Sequence, residues 1–182
     1  MKYKLKDIEV QDIKYSINLN NGIINGNTNC KLVNISYCGE TLEFQTPKVL
    51  VEKIIKQNNK EYLLLKILPT EACKTFCTKI LSLENKHNTE LHNHKEWFNR
   101  KLPISEVKSV FTEDCFIVKV PFNYSSPSIK IYDKESRLFN YYHLKTGMEV
   151  ICLLNVNNIW INFDNTPSYN LTVKEILITK LI

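Results

Sequence analysis

The chain has 182 residues and 21.3 kDa, with 43% hydrophobic and 24% charged residues, enough for one good core and unlike a disordered or collagen-like chain. Its net charge of +5, from 24 basic and 19 acidic residues, permits a polyanionic partner but excludes a histone-like basic field. No apolar run reaches the roughly 18 residues of a membrane-spanning helix, and the start MKYKLKDIEVQD has no apolar stretch of the secretory-signal type. The expectation is a single domain over residues 1–182 with no membrane partner.

Residue choice is skewed: 21 Asn, 20 Ile and 22 Lys stand against 2 Arg, 4 Gly and 1 Ala. Such usage points to an AT-rich genome, so a lysine here is weaker evidence of a phosphate contact than elsewhere. Six cysteines occur (Cys30, Cys38, Cys73, Cys77, Cys115 and Cys152), most within apolar runs. In a chain of this size without a signal sequence they read as reduced core thiols.

The first periodic stretch, Ile8 to Leu19, alternates Ile13, Tyr15, Ile17 and Leu19 as a half-buried strand. NNGIINGN follows as a turn. Cys30 to Tyr37 and Thr41 to Gln45 are the next strands, and Thr46-Pro47 breaks the second. Lys48 to Lys56 fits strand or helix. Tyr62 to Leu68 reads as a central strand buried on both faces. Thr70 is placed as a helix N-cap with Glu71 in the first turn, and the apolar spacing predicts a helix from Glu71 to Lys86. A short second helix can lead into Trp97-Phe98. Strands resume at Cys115 to Val120 and Ser128 to Tyr132, while Leu138 to Leu144 stays open. Met148 to Val156 and Ile159 to Phe163 predict a hairpin closed by Asn157-Asn158, and Leu171 to Leu181 is the last strand.

Strands, one central helix, then more strands predict a mainly β fold. The leading architecture is an OB-fold-like Greek-key barrel with a helix between the strand sets; a β-sandwich or jelly roll is the alternative. The chain shows no GxSxG, HExxH, Walker loop or GxGxxG, so enzymatic activity is not expected. His87, His92 and His94 follow Cys73 and Cys77, but no CxxC or HxxxH pair exists. They read as a surface histidine cluster beside core thiols, and neither metal nor cofactor is expected.

Aromatic residues interleaved with bases are the stronger signal, since single-strand binders stack bases on flat rings and track phosphates with cations. EWFNRK brings together Trp97, Phe98, Arg100 and Lys101; Lys130 and Tyr132 lie on one strand, with Tyr142 and Lys145 further on. These eight are the candidate nucleic-acid-binding residues. The bland reading stands beside this one: strands favour aromatics because they pack well. Trp97 and Phe98 either anchor a loop into the core or present faces to a ligand.

The passage YCGETLEFQTPKVLV, then YLLLKI, the helix and EWFNRK, and the ending IWINF, loop, LTVKEILI, resembles a protein family of the nucleocytoplasmic large DNA viruses. That family is associated with the phage-type single-stranded-DNA-binding proteins. The resemblance covers Asn34 to Ile182 and carries over Gln45, Thr46, Pro47, Trp97 and Phe98 by motif position. It implies an OB-fold, single-stranded DNA as partner, a role in viral DNA replication or recombination, and contacts with replication proteins. It also implies an intracellular location, in a cytoplasmic viral factory or the nucleus, with packaging in the virion and a homodimeric state as further expectations. Phage-type binders end in an acidic, aromatic-tipped tail, whereas this sequence ends KEILITKLI, which puts tail-mediated recruitment in doubt. A virion structural or scaffold protein, or a protein-docking module anchored by EWFNRK, are the alternative functions.

Overall fold

Thr70 sets the point where the chain leaves strand for helix. Its hydroxyl accepts the Cys73 amide at 3.2 Å, the N-cap expected from sequence and worth about 1 kcal/mol. The computed structural model describes residues 3–18, 30–99 and 101–182. In chain order the strands are β1 (Tyr3–Lys4), β2 (Lys14–Asn18), β3 (Lys31–Tyr37), β4 (Glu40–Gln45), β5 (Val49–Gln57), β6 (Lys60–Ile67), β7 (Phe111–Thr112), β8 (Cys115–Val120), β9 (Phe122–Asn123), β10 (Ser126–Pro127), β11 (Lys130–Tyr132), β12 (Glu149–Val156), β13 (Asn158–Ile161), β14 (Pro167–Tyr169) and β15 (Thr172–Lys180). Helix α1 (Glu71–Asn93) lies between β6 and β7.

Five strands close a ring: β5 pairs β6, β6 pairs β8, β8 pairs β15, β15 pairs β12, and β12 returns to β5. β8 and β15 run parallel; the other pairs are antiparallel. The fourth ring strand lies beside the first, which is Greek-key order. The barrel is OB-fold-like, and its closure rules out the sandwich alternative. The third ring strand is split. β8 pairs β15 at Thr172, and β11 takes the same edge of β15 at Glu175 to Leu177. Between the halves the β9–β10 hairpin buds outward, its base closed by the Ser128 amide on the Pro121 carbonyl at 2.7 Å.

β4 joins the barrel to a second layer. It pairs with β12 on one edge and β3 on the other, and β3 also binds β2 and β13. α1 packs between barrel and layer. Phe76 lies 5.2 Å from Phe116 inside the barrel and 6.4 Å from Phe44 on β4. Further along α1, buried Glu84 accepts the Tyr169 hydroxyl at 2.7 Å and the Val110 amide at 2.9 Å.

Several expectations need correction. β12 and β13 do not pair with each other: β13 crosses to β3 and β14, so the expected hairpin is a change of sheet. α1 runs to Asn93, not Lys86, because His87 and Leu91 continue its buried face through a polar sequence. His87 is not on the surface. It is 0% exposed, its Nδ1 hydrogen-bonds the Tyr15 hydroxyl at 2.7 Å, and burial pushes its pKa down to about 3. Within the expected first strand, Ile8 to Leu19, strand geometry starts only at Lys14, after the 3-10 turn Val10–Asp12; Leu19 and the expected turn after it lie outside the described residues. Lys48–Lys56 is resolved as strand, and Leu138–Leu144 contains a 3-10 turn, Tyr141–His143. Cys73, Cys115 and Cys152 are buried thiols, but Cys38 is exposed.

Candidate nucleic-acid interface

Tyr62 to Leu68 is not buried on both faces. Strand alternation puts Leu63 and Leu65 inside the barrel and Tyr62, Leu64 and Lys66 on its outer wall, half-buried. β8 does the same, with Phe116, Val118 and Val120 inside and Ile117 and Lys119 outside. Register aligns these side chains in rows across the wall. Ile55, Tyr62 and Lys119 form one row, and Lys53, Leu64 and Ile117 the next. A β-bulge between Val51 and Lys53 adjusts the first strand so that Lys53 joins this face.

The charges on this wall differ in their partners. Lys66 pairs with Asp114 at 3.2 Å. Among the described residues Lys53, Lys60 and Lys119 have no carboxylate partner. Burial, then the nearby charge of Lys60, pulls the Lys119 pKa below the usual lysine value. A partly desolvated cation beside a like charge is a site that an anion stabilises.

At the end of the wall, the β5–β6 turn holds Asn58 and Asn59 at φ 50 and 59, the left-handed pair of a tight hairpin. Beside it stands the β9–β10 hairpin. Together they bound a groove of about 450 Å³ whose lining includes Lys56, Lys60, Phe122, Tyr124 and Ser125. Glu61 accepts the Tyr141 hydroxyl at 2.7 Å and pairs with Lys56 at 3.0 Å, so its charge is committed.

The structure separates the residues expected from sequence. Trp97 and Phe98 are 6% and 4% exposed, so they are anchors in the core and cannot offer free faces to bases. Trp97 stacks on His94 at 4.2 Å, and its carbonyl accepts the Lys31 ammonium at 2.8 Å. Arg100 lies outside the described residues. Lys101 is exposed just beyond this anchor, its amide donating to Asn99 Oδ1 at 3.1 Å. Lys130 and Tyr132 are on β11 with outward positions, since Ile131 between them is buried. They therefore continue the wall of the third ring strand. Tyr142 is 61% exposed, and its hydroxyl donates to the Ser125 carbonyl at 3.4 Å, placing it at the β9–β10 hairpin. Lys145 is exposed; the next two residues are tied to the bulge, Thr146 to the Glu52 carbonyl at 3.2 Å and Gly147 to the Val51 carbonyl at 2.7 Å.

Lys53, Tyr62, Lys119 and Tyr124 escaped the sequence reading. The signal was present in part: Lys119 is the lone polar residue in CFIVKV, and Tyr62, Leu64 and Lys66 alternate in one strand. In OB-folds the second and third strands form the oligonucleotide face.

No family model matches the sequence, and no curated protein matches it. Solved structures do match. The single-stranded DNA binding protein gp2.5 encoded by bacteriophage T7 superposes with a TM-score of 0.57 at 10% identity, over 78% of this chain and 88% of that one. The chain shares that protein's fold. The single-stranded DNA-binding protein of bacteriophage Enc34 matches at 0.49 and 13% identity, over 81% of this chain and 85% of its own. The same Enc34 protein in complex with single-stranded DNA matches at 0.48 and 11%, over 82% and 91%. At such identities the likeness speaks for the fold, and only the T7 value passes 0.5.

Proposed function

We propose that this chain is a non-enzymatic, sequence-tolerant single-stranded DNA-binding protein whose ligand crosses the outer wall of β5, β6 and β8. The observation that carries this reading is Lys119: a half-buried lysine with Lys60 nearby, no carboxylate partner among the described residues, and Tyr62 in register beside it. A phosphate would relieve the charge that burial leaves uncompensated, while Tyr62 takes a base face. Lys53 and Lys60 extend the cationic track. Stacking and backbone contacts read no base edge, hence the tolerance of sequence. The fold shared with the T7 protein, itself named as a single-stranded DNA binder, supports the same reading.

The finer role follows from the sequence resemblance and the AT-rich composition. The chain supports DNA replication or recombination of a large DNA virus, in a cytoplasmic viral factory or the nucleus, with replication proteins as partners and a homodimer as the working unit.

The test is titration of a fluorescent oligonucleotide at roughly 50 and 200 mM salt. Binding at low salt that weakens steeply with added salt is expected. Absence of binding at low salt, or indifference to salt, overturns the proposal. Competition by duplex DNA and by single-stranded RNA then ranks the ligands.

A further inference from the structure

The β9–β10 hairpin interrupts a barrel strand that could have run on unbroken along β15. Its tip residue, Tyr124, is 98% exposed and has φ 54. Left-handed backbone is cheap for Gly or Asn and strained for an aromatic residue. The adjacent turn illustrates the cheap solution, with Asn58 and Asn59 at its own left-handed positions. Cys38, Glu113 and Ser136 also take left-handed backbone, but among the described residues Tyr124 is the one aromatic to do so. Among the described residues nothing covers its ring, so both the strain and the exposed apolar area go uncompensated in the free molecule.

The mount under Tyr124 is nonetheless braced. Phe122 packs edge-on against Tyr141 at 6.1 Å, Tyr141 is tied to Glu61 on β6, and Tyr142 holds the Ser125 carbonyl. The hairpin is thus held at two points, Phe122 and Ser125, by the Tyr141–Tyr142 turn, which Glu61 ties to the barrel, and its tip is pre-placed beside the groove and Lys60. At about 450 Å³ the groove falls within the range of small-ligand sites, roughly 300–1,000 Å³. A ring held in place loses little freedom on binding.

We infer that Tyr124 is a fixed stacking finger for one unpaired nucleobase, held beside the β5–β6 turn and resting on the single-strand reading above. The backbone strain holds the ring out from the protein, and the base supplies the missing cover. Lys60 takes the phosphate next to the stacked base.

The test compares the full chain with Tyr124→Phe and Tyr124→Ala on a fluorescent oligothymidylate and on the same strand carrying abasic sites. Tyr124→Phe should bind as the parent does. Tyr124→Ala should bind the intact strand roughly 5- to 100-fold more weakly, with an unchanged salt slope, because no phosphate contact is lost. On abasic DNA the parent and Tyr124→Ala should bind alike. Equal affinity of parent and Tyr124→Ala for intact DNA overturns the finger, as does a loss that persists on abasic strands, which would mark a backbone or protein contact. If the parent itself binds no DNA at low salt, the single-strand reading falls first and takes the finger with it.

Discussion

Asn165 treats Asn99 as a strand partner. Its Oδ1 accepts the Asn99 amide at 2.9 Å, and its Nδ2 donates to the Asn99 carbonyl at 2.8 Å and to the Leu102 carbonyl at 3.0 Å. Asn165 is 1% exposed and sits at φ 63 in the turn between β13 and β14. One side chain thereby fastens the segment after Trp97-Phe98 to the second layer, 66 positions away. Asn165→Ala takes this partner from the Asn99 amide and from the Asn99 and Leu102 carbonyls, and adds left-handed strain. A loss of about 3 kcal/mol is expected, read as a lower urea midpoint at unchanged slope.

Trp97→Ala tests the other end of this clamp. The indole is buried and stacked on His94, so truncation should cost about 3–5 kcal/mol. The folded fraction should keep its oligonucleotide affinity. Paired denaturation and titration check both; intact stability with lost affinity would return Trp97 to the binding surface.

Lys119→Gln addresses the wall. Oligonucleotide affinity should fall by roughly 1–2 kcal/mol, and the salt slope should shrink by about 0.7, the value for one phosphate on a single strand. Because burial depresses the pKa of Lys119, its charge opposes folding, and stability should not fall in the variant. Titrations across a salt series give both numbers.

His87 makes stability depend on pH. Its folded pKa of about 3 lies below the ordinary 6.5, so between those values the unfolded chain binds the proton more readily. The stabilisation is full above 6.5 and is lost as pH falls towards 3. From pH 7 to about pH 5 the loss should be about 2 kcal/mol. His87→Gln should flatten this slope, whatever its effect on overall stability, in urea midpoints measured at both pH values.

Tyr124→Gly separates folding from binding. Glycine accepts φ 54 without strain, so the variant should gain up to about 1 kcal/mol of stability. It should also bind oligonucleotide more weakly. A melting curve and a titration on one preparation decide it.

The sites differ in how legible they were. Strand after strand was visible from period-two alternation, and the helix start from Thr70 and Glu71, because these signals are local. The end of α1 was not visible: NKHNTELHNHK looks solvated, yet His87 and Leu91 within it are buried, because distant strands meet that face, with Tyr15 hydrogen-bonding His87 Nδ1. The β12–β13 pair failed for a similar reason. Alternation of Ile159 and Ile161 shows that β13 has a buried face, but not which strand lies at its edge, and β3 claims it.

Composition and periodicity alone establish a β-rich chain with one capped helix, mildly basic and rich in strand aromatics. Local backbone preference and hydrophobic period settle those properties within a few residues. Which aromatics face water depends on the packed fold. Trp97 and Phe98 went inward in the turn after α1, Tyr124 outward at a hairpin tip, and Tyr62 onto a wall beside Lys119, where ring closure gives β6 and β8 an inside and an outside. That assignment depends on pairings among β5, β6, β8, β12 and β15, which are set by register across the whole chain and not by any one stretch of it.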